Sequence, residues 1–254
     1  MRRPTEAIDR IVRDHPIRLI SVDVFDTLLL RGTRPEMARF ARVAQMQAKA
    51  LAARGVAVDA DALYAARLVA ARTAYRVIRT VEGEREGHLD LIFAMVARAV
   101  GLDPALAALL SDVEFESELE ELVGNRPLAE ALARQRAAGC RVVFASDMYL
   151  PAATIAGLIG RLLPDLVLDG GYSSADRGVT KRGGGLFRVL LAEEGVAPGE
   201  VLHLGDSELA DVATPRAMGI HVLHTPRPAG WRRVHGLRQK LAILRHRAVL
   251  RRTA

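Results

Sequence analysis

Side chains able to do chemistry recur at comparable places along this chain. Asp23 ends a short apolar run, Ile17 to Val22, and Asp26 and Thr27 follow before the apolar character resumes. Ser146 and Asp147 end a second run, and Asp206 ends a third with Asp211 five residues on. Lys181 stands at the start of a helical stretch. An aspartate can attack phosphorus and form an aspartyl phosphate, dividing one displacement into two easier ones. The charges of such an aspartate and of a phosphoryl group repel unless cations intervene. Mg²⁺ and a fixed lysine can both supply that positive charge, and a serine hydroxyl can donate to the phosphoryl oxygens. Each residue also has a plainer alternative, because turns favour Asp and Ser at strand ends and many lysines at helix ends are simply solvated.

These positions gain meaning from the elements that hold them. Apolar runs at Ile17 to Val22, Cys140 to Ala145, Leu166 to Leu168, Val201 to Leu204 and His221 to Leu223 read as strands. Helical stretches alternate with them over 126–138, 152–163, from Lys181 to about 194, and 213–218. That alternation predicts an α/β fold, a doubly wound parallel Rossmann-like sheet. Positions at strand carboxyl ends, and at the starts of the following helices, converge there on one crevice. Gly32-Thr-Arg-Pro35 interrupts the pattern, with Thr33 placed to cap a helix and Pro35 in its first turn. Residues 33–123 then carry helical spacing broken near Gly55, Glu82-Gly83, Gly87 and Gly101-Leu-Asp-Pro104, which predicts an inserted all-α cap domain. The expected organisation is an N-terminal arm (1–16), a core (17–32 and 124–228), the cap (33–123) and a tail (229–254).

Composition narrows the classes. Half of the 254 residues are apolar and only 4% are aromatic, which suits a helix-rich globular protein. Cys140, the sole cysteine, lies in an apolar run and reads as a buried small hydrophobe, so no disulfide forms within one chain. The first residues alternate charges without an apolar core, and no run is long enough to span a bilayer, so a cytoplasmic protein is expected. The net charge of +6 belongs to the tail, where eight Lys or Arg follow Trp231 and no acid does. Without them 28 basic residues face 30 acidic ones, so no nucleic-acid-binding domain is expected.

The ordered set Asp23-Val-Phe-Asp-Thr27, Ser146, Lys181 and Gly205-Asp206-Ser-Glu-Leu-Ala-Asp211 resembles the haloacid dehalogenase-like hydrolase superfamily. Val22-Asp-Val-Phe-Asp-Thr-Leu-Leu-Leu-Arg31, Ser146-Asp-Met-Tyr-Leu-Pro151, Thr180-Lys-Arg-Gly and Leu202-His-Leu-Gly-Asp-Ser look more narrowly like a predicted-hydrolase branch associated with capsule and glycan loci. The resemblance covers roughly residues 17–225 and implies Asp23 as nucleophile, with Ser146 and Lys181 completing the catalytic set. It implies Mg²⁺ held by Asp23, the backbone carbonyl of Phe25 and Asp206, with Asp211 as ligand or close support. The branch identifies no substrate; the expected one is a small phosphorylated metabolite, such as a sugar phosphate, with Thr27, Asp147 and Tyr149 beside it.

Phe25 departs from the pattern. Phosphatases of this superfamily carry an aspartate there that acts as general acid and then base, which an aromatic ring cannot do. Asp26 is displaced by one residue and reads as a turn-stabilising carboxylate. The departure leaves open a substrate with a good leaving group, an acid borrowed from the cap, or little hydrolysis. It also leaves open a metal-free dehalogenase, although Asp206 and Asp211 gain no obvious role in one, and a non-catalytic module serving a glycosyltransferase.

Three accessory features complete the reading. Tyr149 either touches substrate or packs against the cap. Glu114, Glu116, Glu118, Glu120 and Glu121 read as a solvated acidic helix face. Residues 231–252 can be drawn as a basic amphipathic helix with Val234, Leu237, Leu241, Leu244 and Ala248 in one stripe. Such a helix can lie on an anionic membrane surface with Trp231 at the interface, or dock on the core or a protein partner.

Overall fold

The computed structural model describes residues 4–252, and side chains of residues 5–244. The chain folds as two compact units. One comprises the chain through Leu30, Ile78–Glu86 and Leu122–Arg227; the other comprises Arg31–Val77, Gly87–Glu121 and the chain from Pro228. This division departs from the expected boundaries in three ways. The arm and residues 78–86, inside the insertion, belong to the α/β unit, and the tail belongs to the helical one.

In chain order the longer helices are α1 (Pro4–Asp14), α2 (Glu36–Ala52), α3 (Ala60–Val77), α4 (Leu89–Ala99) and α5 (Ala107–Glu121). They continue with α6 (Arg126–Ala137), α7 (Ala152–Leu162), α8 (Gly185–Glu194) and α9 (Ala229–Arg252). Short strands at Leu29–Arg31 and Leu122–Gly124 bracket the insertion.

The α/β unit is built on five parallel strands: β1 (Leu19–Val22), β2 (Arg141–Ser146), β3 (Gly170–Ser173), β4 (Val201–Gly205) and β5 (His221–His224). Their order across the sheet is β3-β2-β1-β4-β5, with β1 at the centre. Leu19, Ile20, Ser21 and Val22 are all buried, as a central parallel strand covered on both faces requires. Alternate residues face opposite sides. Leu19, Val143, Ala145 and Tyr172 join Leu186, Phe187 and Leu190 of α8 in one core layer.

Three local expectations give way here. Leu166 to Leu168 is not a strand; the edge strand forms at Gly170–Ser173 instead. A Cβ on Gly171 would stand 2.0 Å from the Phe144 ring, so close strand approach selects the glycine that propensity disfavours. The helix expected from Lys181 begins at Gly185, because Gly184, its N-cap, is left-handed (φ 84°) and keeps the preceding turn non-helical. After β4 the chain winds as a π-helix over Glu208–Ala213 before a short α-helix, Thr214–Ala217. Thr33 does not cap α2, whose N-cap is Pro35.

The helical unit packs α2, α3, α4 and α5 around buried Phe40, Leu51, Leu63, Ile92, Phe93 and Leu110. The acidic cluster is a solvated face only in part: Glu116 and Glu120 are exposed, but Glu114 and Glu118 are buried. Glu114 forms a two-pronged pair with Arg67 at 3.0 and 3.2 Å, each side chain 2% exposed. Arg67 also lies over the rings of Phe40 and Phe93, at 4.5 and 5.4 Å. Glu118 accepts from Arg31 at 3.0 Å and Arg39 at 2.9 Å. In an interior such charges persist only when each finds a partner, and spacing alone did not reveal these partners.

The tail packs α9 along α2, but not by the expected stripe. Trp231 faces the helical unit, donating Nε1–H to the carbonyl of Arg31 at 3.1 Å and stacking on His235 at 4.7 Å. Side chains of residues 245–252, including Ala248 of that stripe, lie outside the described set.

Candidate active site

The carboxyl end of β1 carries the site. Asp23 continues the ladder by donating its N–H to Leu204 at 2.8 Å, and the chain then turns sharply. The carbonyl of Val24 accepts from Thr27, Leu28 and Leu29, while Asp26 adopts φ 65°, a left-handed geometry that Asp tolerates better than most residues. Asp26 also faces Arg227, 3.6 Å away, as a turn-stabilising carboxylate would. Phe25 stands in this turn, bridged to Leu29.

The turn after β4 brings Asp206 and Asp211 to the same place. Asp211 sits on the π-helix and accepts the N–H of Ser207 through Oδ2 at 2.9 Å. Gly205 makes the approach feasible, since a Cβ there would lie 2.3 Å from the Asp211 carboxyl carbon. Carboxylate oxygens of Asp23, Asp206 and Asp211 lie within 4.8 Å of one another.

Lys181 enters from the loop before α8. Its Nζ donates to Oδ1 of Asp23 and to Oδ1 of Asp211, both at 2.6 Å, and the side chain is 2% exposed. Two carboxylates clamp its loop. Asp147 accepts the N–H groups of Lys181 (2.6 Å) and Arg182 (3.1 Å). Glu84, from the 78–86 segment, accepts the N–H of Thr180 at 2.7 Å and the Thr180 hydroxyl as well. Asp147, expected beside substrate, is thus committed to holding the lysine loop. Nearby, Glu86 is buried and accepts from Ser174 at 2.8 Å, and Ser174 accepts the N–H of Met148 at 2.9 Å.

Ser146 ends β2, two residues beyond Phe144, which pairs with Val22. It is buried at the level of the Asp23 turn. Thr27 is buried too, and its hydroxyl has no hydrogen-bond partner. Tyr149 is 6% exposed, a packed rather than a protruding ring.

Behind the carboxylates lies a relay that the sequence reading missed. His203 Nε2 is 3.1 Å from Asp211 Oδ1, and its Nδ1 is 3.0 Å from the Ser21 hydroxyl. Burial holds the imidazole below its usual pKa and therefore neutral. A neutral ring that donates Nε2–H to Asp211 accepts the Ser21 hydroxyl at Nδ1. The available signal was the pair of polar residues inside apolar runs, which the parallel register sets side by side. Glu84 and Glu86 carried no comparable sign, since a charged break between helices does not name its distant partner.

Burial dominates the electrostatics. It pushes Asp23 up, and Asp211 and Asp206 add to the rise while Lys181 opposes it. Asp206 is raised to about 6, again chiefly by burial, with Asp26 and Asp211 contributing. Burial would raise Asp211 as well, but Lys181 and His203 outweigh it and hold that carboxyl far below its ordinary range. Lys181 is driven the other way: burial disfavours its charge, yet Asp23 and Asp211 keep it firmly protonated. One lysine against three converging carboxylates leaves an excess of negative charge. That donor set fits a divalent cation, and carboxylate oxygens suit a hard one.

The profile of a family described as haloacid dehalogenase-like hydrolase matches residues 17–219. Among solved structures, a HAD family enzyme from Bacteroides thetaiotaomicron superposes with a TM-score of 0.54 at 12% identity, covering 86% of this chain and 98% of that one. The L-2-haloacid dehalogenase from Xanthobacter autotrophicus gives 0.51 at 18% identity, covering 89% and 86%. The 2-haloacid dehalogenase from Pseudomonas syringae pv. Tomato DC3000 gives 0.52 at 18% identity, covering 82% and 86%. Identities this low attest a shared fold and no more. No curated protein matches the chain significantly.

Proposed function

This chain belongs to the haloacid dehalogenase-like hydrolase family, and we propose that it transfers or hydrolyses the phosphoryl group of a small phosphorylated metabolite with the help of Mg²⁺. The observation that carries this reading is the buried Lys181 ammonium shared by Asp23 and Asp211 beside Asp206. A haloacid offers one carboxylate and a departing halide, for which two further aspartates are superfluous. A phosphoryl group brings concentrated charge that needs more than one cation.

In this reading an Asp23 carboxylate oxygen attacks phosphorus, the bond from phosphorus to the leaving oxygen breaks, and water later releases phosphate from the aspartyl phosphate. Lys181 fixes the Asp23 carboxylate and sets a positive charge beside the developing one. Ser146 and the orphaned Thr27 hydroxyl are the donors for phosphoryl oxygens. Mg²⁺, held by Asp23, Asp206, Asp211 and the Phe25 carbonyl, would neutralise charge on the group in transfer. Phe25 transfers no proton, so the reading favours substrates whose leaving group departs without one.

Phe25 also favours a second reading, metal-independent displacement of halide, because a halide needs no acid. The test is phosphate release across a panel of phosphorylated metabolites, with Mg²⁺ or EDTA, for the wild type beside Asp23→Asn. Chloride release from 2-chloroacids is followed in parallel. Expected are Mg²⁺-dependent phosphate release that falls on the order of 10³-fold in Asp23→Asn and a Mg²⁺-induced rise in Tm that Asp206→Asn abolishes. Chloride release unaffected by EDTA establishes the second reading instead. Silence in both assays, with the Tm shift intact, turns the site into a binding module.

A further inference from the structure

Helix α9 presents two chemically different sides. A residue advances about 100° around an α-helix, so Trp231, His235, Gln239 and Ala242 fall on one side. All four are partly buried, and this side packs on α2. Leu237, Leu241 and Leu244 fall opposite and are 62%, 50% and 62% exposed, with Val234 beside them at 44%. Exposed Arg233 and Lys240 run along one edge of this stripe, and exposed Arg238 along the other. From Pro228 to the end of the chain there is no Asp or Glu.

We propose that this outward stripe of α9 docks the protein on an anionic lipid bilayer surface. Helix packing has already used the side that carries Trp231, so the leucines are not covered by the unit to which α9 belongs. A second copy of the chain is a poor cover, because pairing these stripes would bring Arg233, Arg238 and Lys240 against one another with no acid between them. The stripe is narrow and convex, the outer surface of a single helix. A fluid layer conforms to that shape, taking the leucines at the acyl boundary while Arg and Lys stems reach back to phosphate headgroups. Among the described residues no helix is long and apolar enough to cross a membrane, so the contact is peripheral.

The test is flotation of the full chain with vesicles of phosphatidylcholine alone or mixed with phosphatidylglycerol. The wild type is expected to float with the mixed vesicles, to ignore the neutral ones, and to be released by high salt. Leu237→Gln/Leu241→Gln/Leu244→Gln should abolish flotation, and Arg233→Gln/Lys240→Gln should weaken it roughly thirtyfold. These positions are exposed, and the single change Leu241→Asp serves if the triple variant does not fold. Trp231, the sole tryptophan, reports whether the helix stays seated, and its emission should not shift on binding. Failure of the wild type to float, or equal flotation of the leucine variant, overturns the proposal. So does a solution dimer that the leucine variant dissolves, since a second copy would then cover the stripe. None of these readouts depends on the reaction at Asp23.

Discussion

Glu84 accepts both the N–H and the hydroxyl of Thr180, the residue before Lys181. Opposite it, Asp147 accepts the N–H of Lys181 itself. The ammonium bridging Asp23 and Asp211 is therefore held by a loop fixed at two points, one of them supplied from within the insertion.

Removing the clamp should loosen the lysine without touching the reacting atoms. Glu84→Ala is expected to lower kcat by roughly ten- to a hundredfold, with KM changed less, because small misplacements at a reacting centre cost that much. Glu84→Gln keeps an acceptor oxygen and should fall between that variant and the wild type. Amide exchange over Thr180–Gly184 should quicken in Glu84→Ala, whose freed N–H has lost its acceptor. Unchanged exchange would show that Asp147 alone holds the loop.

Gly205 is a steric requirement of the metal-side carboxylate. A Cβ 2.3 Å from the Asp211 carboxyl carbon cannot be accommodated without moving Asp211 away from Lys181 and His203. Gly205→Ala is expected to cost about 1–3 kcal/mol in urea denaturation and to reduce turnover on the order of a hundredfold. Wild-type turnover in this variant would mean that Asp211 has no part in the site.

Glu118 makes the stability of the helical unit sensitive to acid. Burial by itself raises this carboxyl, but Arg31 and Arg39 outweigh burial and hold it below its ordinary value. A folded-state pKa below the unfolded one contributes stability that is complete above the unfolded value and is lost as pH falls through the folded one. Glu118→Gln should therefore cost about 2–4 kcal/mol at pH 7. Its deficit against the wild type should shrink as acid protonates the wild-type carboxyl. Denaturant titrations of both proteins at descending pH measure that gap, and a deficit constant with pH would rule out the charge as its source.

Four of the five strands, the insertion point, and the convergence of Asp23, Asp206, Asp211 and Lys181 on one place were legible in the sequence. Asp23, Ser146 and Asp206 end strands whose apolar, β-branched runs need no distant information, and parallel winding brings such ends together. The failures share another cause. The strand at Gly170–Ser173 pairs with Val143–Ser146, and Gly171 is a glycine there because Phe144 leaves no room for a side chain, a fact about a neighbouring strand. Glu114 and Glu118 look solvated along their own helix and are buried because Arg67, Arg31 and Arg39 arrive from other segments. The same holds for the His203–Asp211 contact, the grip of Glu84 on the lysine loop, and the face that α9 turns outward. These come from the folded chain alone, because pairing between segments distant in sequence leaves no periodicity in either partner to read.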